Sequence, residues 1–429
     1  MENILIGFAF IIGIIIITSI INEKKLHMPH EIALIIVSFI ISVIIILLQR
    51  YGIIGSKIAA IESLKNFDFN NFLLECTLGF ILFASASKMQ INKFMKNIIP
   101  IGYLATMTTV ITSFLYGSLF CIISSWFNLN IDFWVCVILG AAIAFTDSIT
   151  ASGILKKLGI SKGMSSVIEG ETLFNDGVGI AIFIFASAFI KNIATENLMI
   201  LFIKEIFGAV VVGLIVSYIS FKLLKMSNNP VVHILISLFV VSASYSICEY
   251  FSFSGVIACA IAGMYFAYNR KKNERWIEVV DSKEMYDDFW NIIENLLNSM
   301  LYVLVGLMVI SLNVNKQLLI IIPTAIILNF VTRFIGVSVS TILIGKKNIP
   351  SKYNFKEFVM LLTWTGLKGG VSLALIMSAK NLVPQEVYEI LLSATMITIL
   401  FTTIVQGLLT PTVYKKIEKI REKRIEENI

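Results

Sequence analysis

Eight consecutive residues, Glu169-Gly170-Glu171-Thr172-Leu173-Phe174-Asn175-Asp176, bring three carboxylates, an amide and a hydroxyl into an otherwise apolar stretch. Oxygen-bearing groups of this kind suit hard cations and protons, so ion handling is the chemistry the run offers. On a helix turning about 100° per residue, Thr172 and Asp176 are an i,i+4 pair and Glu169 lies within about 60° of both. Glu171 and Asn175 form a second i,i+4 pair about 100° away, which addresses a different neighbouring helix. Glu169 sits about 10 Å along the axis from Asp176, a place that suits an entry funnel more than the site itself.

Three other apolar segments carry polar groups: Thr146-Asp147-Ser148; Asn329, Thr332 and Arg333; and Thr363-Trp364-Thr365-Gly366-Leu367-Lys368-Gly369-Gly370. Thr146-Asp147 offers hydroxyl and carboxylate oxygens, and main-chain carbonyls as well if the helix is interrupted there. A buried Glu171 requires a cation, and Arg333 is the one arginine inside a candidate span. That pair reads either as a charge bridge between two helices or as part of an ion site, and losing one partner is costly in both cases. Gly366, Gly369 and Gly370 either weaken helical continuity or let two helices approach closely.

The elements that must position these groups are membrane spans. Of 429 residues, 57% are hydrophobic and 14% charged, with a mean hydropathy of +0.87, whereas soluble chains have about 25% charged residues. Apolar runs of spanning length fall at about 4–22, 31–49, 70–87, 98–125, 132–153, 164–190, 203–224, 231–250, 253–269, 296–313, 317–344, 357–378 and 386–412, which predicts an all-α membrane protein with about 13 transmembrane helices. Spans five and twelve are separated by an odd number, so they run in opposite directions, as an inverted repeat requires. Residues 274–295 mix Trp276, Phe289 and Trp290 with Asp281, Lys283 and Asp287, a pattern that predicts an amphipathic interfacial helix between spans nine and ten.

Positive charge sets the orientation. The odd-numbered loops and C-terminal tail hold 25 of the 34 Lys and Arg residues and the even-numbered loops hold 7, which predicts an external N-terminus and a cytoplasmic C-terminus. The net charge of +6 then belongs to a cytoplasmic membrane face, with membrane lipid as partner and no call for nucleic acid. Lys415 to Arg424 read as a solvated or headgroup-facing helix end. The first apolar run lacks a basic stretch before it and a small-residue cleavage site after it, so it reads as a retained span. Cys76, Cys121, Cys136, Cys248 and Cys259 show no CxxC spacing and read as packing residues.

Together, Thr146-Asp147, the Glu169 to Gly177 run and Trp364-Thr365-Gly366-Leu367-Lys368-Gly369-Gly370-Val371-Ser372 resemble the NhaP-type sodium/proton exchangers of the monovalent cation/proton antiporter superfamily. Leu82-Phe83-Ala84 and Arg333 are further points of similarity. The resemblance implies an inverted-repeat antiporter fold in which helices five and twelve are unwound and cross. It implies a membrane transport domain at 1–412, with core helices within about 70–190 and 296–412 and dimerisation or scaffold helices within about 1–60 and 203–269, followed by a short cytoplasmic tail at 413–429. It further implies a homodimer in the cell membrane and electroneutral exchange of Na+ or Li+, with K+ a further candidate, for H+, without a cofactor. Asp176, Thr172, Thr146 and Asp147 would bind the cation or proton, with Na+ on Asp176, Thr172 and Thr146. Asn175, Glu171, Arg333 and Lys368 would support the site.

Ser148 stands where the family often has proline, and Lys368 where it usually has arginine, whose planar fork of donors lysine lacks. Some members contribute a glutamate from span three; Glu75 lies toward the external end, so that role is not carried over. A solute symporter or an ion channel is the alternative within transport, and a membrane-embedded enzyme the alternative outside it. His27, His30 and His233 form no HExxH pair, and neither GxSxG nor GxxxxGK occurs, which disfavours the enzyme.

Overall fold

The computed structural model describes residues 2–51, 77–191, 198–272, 280–311, 318–350 and 352–427. Among them every regular element is helical. Leaving aside short turns of about six residues or fewer, in chain order these are α1 (Glu2–Ile21), α2 (His30–Arg50), α3 (Leu78–Ser87), α4 (Thr109–Trp126), α5 (Phe133–Ala144), α6 (Ser148–Lys157), α7 (Lys162–Ile190) and α8 (Leu198–Leu224). There follow α9 (Pro230–Tyr250), α10 (Gly255–Lys272), α11 (Val280–Leu307), α12 (Leu318–Ile344), α13 (Phe355–Trp364), α14 (Gly370–Ser378), α15 (Gln385–Leu400) and α16 (Gly407–Glu427). Nine helices among the described residues are long and apolar enough to cross a membrane, and Leu78–Ser87 and Phe133–Ala144 are shorter apolar helices. Among the described residues each expected span overlaps a helix or, for spans five and twelve, two half-helices.

Local chemistry explains several boundaries. The Asp132 carboxylate accepts from the Trp134 N–H at the start of α5 at 2.8 Å, and Ser161 does the same for Met164 at the start of α7. Asn229 caps α9, whose first residue is Pro230, and Asn354 with Glu357 forms a reciprocal capping box on α13. Each cap satisfies amide groups that a helix start leaves free. Within the spans, hydroxyls such as Ser113, Thr332, Thr341 and Thr398 donate to the carbonyl four residues back, so no polar atom of theirs is left facing hydrocarbon.

The helices pack as two groups. α1, α2, α3, α8, α9, α10 and α11 contact one another, while α4 to α7 and α12 to α16 form the second group. Within this packing α3 lies on α10 and α11, and α11 lies on α2. Close backbone approach is the reason. A Cβ on Gly263 would lie 2.6 Å from the Phe83 carbonyl oxygen, and the Phe83 ring meets Phe266 at 5.6 Å and Trp290 at 4.7 Å.

A separate interfacial helix between spans nine and ten is not what the described part of 274–295 forms. α11 runs without a break from Val280 to Leu307, Tyr286 and Trp290 are fully buried, and the Trp290 indole donates to Ser237 Oγ at 3.0 Å. Phe289 and Trp290, two of the aromatics that suggested the interface, therefore pack inside the first helix group. At the C-terminus, α16 continues through residue 412 into the tail. Tyr414 and Ile417 are buried with Phe358, Tyr353 and Leu155, while Lys415, Lys416, Lys419 and Lys423 stay exposed. Lys57, Lys65, Glu75, Cys76, Arg275, Trp276 and Lys316 lie outside the described residues. Cys136, Cys248 and Cys259 are buried free thiols and Cys121 is half-buried.

Candidate functional site

The fifth span is interrupted at Phe145-Thr146-Asp147, between α5 and α6, and the twelfth at residues 365–369, between α13 and α14. The two breaks touch: the Asp147 N–H donates to the Leu367 carbonyl at 2.8 Å. Four helix ends therefore meet, the C-termini of α5 and α13 and the N-termini of α6 and α14. Such ends carry partial charge of about half an electron, negative at a C-terminus and positive at an N-terminus. Asp147 directly precedes α6, where a carboxylate is favoured, and Lys368 lies within the second break between α13 and α14.

The glycines of the second break act through space and not through unusual dihedrals. Among the described glycines, positive φ occurs at Gly159 and Gly345. A Cβ on Gly366 would lie 2.7 Å from Arg333 Nε, one on Gly369 would lie 3.1 Å from Asp147 Cβ, and one on Gly370 would lie 2.7 Å from Leu301 Cβ. Close approach is thus the property these positions need.

Freed main-chain groups at the second break find partners on the last span. Thr402 Oγ1 accepts from the Lys368 N–H at 3.2 Å, the Thr403 hydroxyl donates to the Lys368 carbonyl at 3.0 Å, and the Gln406 amide donates to the Trp364 carbonyl. All three lie on Phe401–Gln406, a single π-helical turn between α15 and α16. Bulges of this kind re-aim side chains that a regular helix would spread round its axis. The sequence reading missed this trio, though two threonines and a glutamine inside an apolar span were a visible signal.

Asp176 sits on the unbroken α7, 5% exposed, and its Oδ1 is buried without a hydrogen-bond partner among the described residues. Thr172, one turn earlier, lies 3.1 Å from the Thr146 hydroxyl and also reaches the Ile168 carbonyl at 3.2 Å. The Asn175 amide donates to Thr146 Oγ1 at 2.7 Å. Glu171 instead pairs with Arg333 Nη1 of α12 at 2.6 Å, both side chains under 5% exposed, and Arg333 Nη2 donates to the Leu362 carbonyl at 3.2 Å. The expected Glu171 and Asn175 face is thus split: Asn175 serves the first break and Glu171 the arginine behind the second.

A cavity of about 430 Å³ reaches this point, lined by Thr146, Asp147, Thr172, Asp176, Glu169 and Glu31 among others. Its mouth carries two ion pairs, Lys156 with Glu169 at 2.7 Å and Lys88 with Glu294. Deeper in, Asp147 Oδ2 accepts from Thr150 at 2.7 Å and from the Tyr302 hydroxyl. Asn175, Glu171, Arg333 and Lys368 are not among the cavity-lining residues. Lys368 is fully buried and its Nζ has no hydrogen-bond partner among the described residues. Tyr302, Thr150 and Glu31 were not singled out from sequence, because nothing in the chain order places α2, α6 and α11 round one cavity.

An all-helical membrane protein in which two interrupted spans cross beside a buried carboxylate has the architecture of a secondary transporter. The chain belongs to the family described as sodium/hydrogen exchanger, transmembrane, which matches residues 7–416; this is a family of transporters and not of enzymes. It is 27% identical to the Na(+)/H(+) antiporter NhaP of Pseudomonas aeruginosa over 93% of this chain and 94% of that protein. It is 26% identical to the Na(+)/H(+) antiporter NhaH of Halobacillus dabanensis over 97% of this chain and 98% of that protein. The fold is shared with the sodium proton antiporter MjNhaP1 of Methanocaldococcus jannaschii, with a TM-score of 0.73 and 22% identity over 97% of this chain and 99% of that one.

Proposed function

We propose that this protein exchanges Na+ or Li+, with K+ a further candidate, for H+ across a cell membrane, one for one and without net charge movement. The observation that carries this reading is Asp176: a buried carboxylate that lines the cavity, with one oxygen that has no hydrogen-bond partner among the described residues. A single carboxylate in that position binds a proton or a cation, and the two compete. Thr172, the Thr146 main chain and Asp147 complete an oxygen set that suits a dehydrated monovalent cation. Glu171 with Arg333, together with Asn175 and Lys368, holds the surrounding helices, and Glu169 with Lys156 lines the way in.

The cavity opens at the end bearing Lys88 and Lys156, residues of the lysine-rich loops, which supports a cavity facing the cytoplasm and an external N-terminus. Transport follows when the group containing α5, α6, α7, α13 and α14 moves against the α2, α3, α10 and α11 group, so that the site opens alternately to each side. The resemblance to NhaP-type exchangers supports a homodimer held by the group that contains α1, α2, α8, α9 and α10. The test is proton flux in proteoliposomes against Li+, Na+ and K+, with and without a membrane potential. Asp176→Asn abolishes flux with every cation; cation-dependent flux in that variant would overturn the assignment. Dependence of the wild-type rate on membrane potential would overturn electroneutrality.

A further inference from the structure

Tyr302 is fully enclosed, 2% exposed, and belongs to α11, which packs with α2 and α3. Its hydroxyl nevertheless reaches across the cavity to Asp147 Oδ2, at the crossing of the other helix group. Thr150, on α6 within the same group as Asp147, donates to the same oxygen at 2.7 Å and lies 3.1 Å from the Tyr302 hydroxyl. Two donors therefore share one carboxylate oxygen, and they differ in one respect: Thr150 travels with Asp147, while Tyr302 stays behind when the groups separate.

We propose that Tyr302 is a positioning residue for cation exchange, holding Asp147 from the opposite wall of the cavity and giving way when a monovalent cation takes its place. The inference rests on the proposed exchange at Asp176. A phenol donating to a carboxylate forms one of the stronger hydrogen bonds available to a neutral donor. An ion that takes Asp147 Oδ2 from the cavity displaces that donor, and the same displacement frees the moving group from α11. Thr150 needs no displacement, and it keeps the carboxylate oriented toward the site while the tyrosine is away. Arrival of the cation and release of the helix group thereby become one event.

Opposite signs for the two donors test this. In reconstituted exchange, Tyr302→Phe keeps the ring and removes the hydroxyl; the apparent KM for Na+ falls at least threefold while kcat stays within twofold of wild type. Thr150→Val removes the donor that stays with the carboxylate, and its KM for Na+ rises at least threefold. A KM that is unchanged or raised in Tyr302→Phe, or one that moves in the same direction in both variants, overturns the proposal. If Tyr302→Phe gives no folded protein, Tyr302→Leu, which carries no hydrogen-bond donor and is smaller than the tyrosine it replaces, is read by the same criterion. Asp176→Asn runs in parallel: flux in that control overturns the exchange site itself, whereas a silent control with wild-type KM in Tyr302→Phe overturns this inference alone.

Discussion

The N–H of Asp147 donates to the carbonyl of Leu367 at 2.8 Å, so one hydrogen bond ties the interrupted fifth span to the interrupted twelfth. Two unwound stretches 220 residues apart in sequence thereby satisfy part of each other's main chain, which is what lets non-helical backbone persist at membrane depth. Consequences for the surrounding residues can be measured.

Gly369 faces Asp147 across this junction, with a would-be Cβ 3.1 Å from Asp147 Cβ. Gly369→Ala pushes the two breaks apart by a few tenths of an ångström and moves the Asp147 carboxylate. The expected result is folded protein with exchange reduced at least tenfold, and Gly366→Ala, 2.7 Å from Arg333 Nε, loses folded yield as well. Flux and monodispersity in detergent, measured side by side, distinguish the two.

Glu171 and Arg333 are buried at 2.6 Å. Removing one partner leaves an uncompensated charge, so Glu171→Gln or Arg333→Met alone is expected to cost about 3–5 kcal/mol of stability. The double variant recovers most of that loss. Thermal unfolding of the four proteins closes the cycle, and retained exchange in the double variant marks the pair as scaffold, whereas a stable but silent double variant assigns it to the ion site.

Gln406 donates to the Trp364 carbonyl at the end of α13. Gln406→Leu strips the cap from a buried carbonyl, for about 1–3 kcal/mol, and lets the unwound stretch wander. Exchange is expected to fall about tenfold with KM and kcat both affected, while Gln406→Glu at low pH, where it is protonated and can donate, recovers part of the rate.

Glu169 and Lys156 pair at the cavity mouth with 31% and 60% of their side chains exposed. Exposed pairs are worth about 1 kcal/mol or less and are screened by salt. Glu169→Gln therefore leaves stability and kcat unchanged and raises the KM for Na+ about twofold to fivefold at low ionic strength. The difference disappears as inert salt is added; a collapse of kcat would instead place Glu169 in the site.

The tail helix packs Tyr414 and Ile417 against the α13 region, and Arg424 lies 3.3 Å from Glu357 of the capping box. Burial pushes the nearby Tyr353 phenol up from its usual range, with Glu418 adding to the shift, so that phenol stays neutral through physiological pH. Ile417→Asp is expected to lower the thermal stability by about 2–3 kcal/mol, whereas Lys415→Ala on the exposed face changes nothing measurable.

Hydropathy by itself determined that the chain is a series of membrane-spanning helices and roughly where they fall, because each must carry enough apolar residues to cross hydrocarbon. The cost of placing Asp176, Glu171 and Arg333 in such a medium also marked them from sequence alone. The interruptions were legible as well, since Thr146-Asp147 and the glycine-lysine cluster stand out against apolar neighbours. What only the tertiary structure decided is which side chains meet. Asn175 and Glu171 parted because their neighbours, Thr146 and Arg333, lie on different helices. α3 joined α10 because Gly263 admits the Phe83 carbonyl, and Trp290 turned inward to pack on Phe83. Tyr302, Thr402, Thr403 and Gln406 acquired roles through contacts spanning dozens to more than a hundred residues, which periodicity cannot encode: a helix pattern says which face is polar, and only packing says what that face touches.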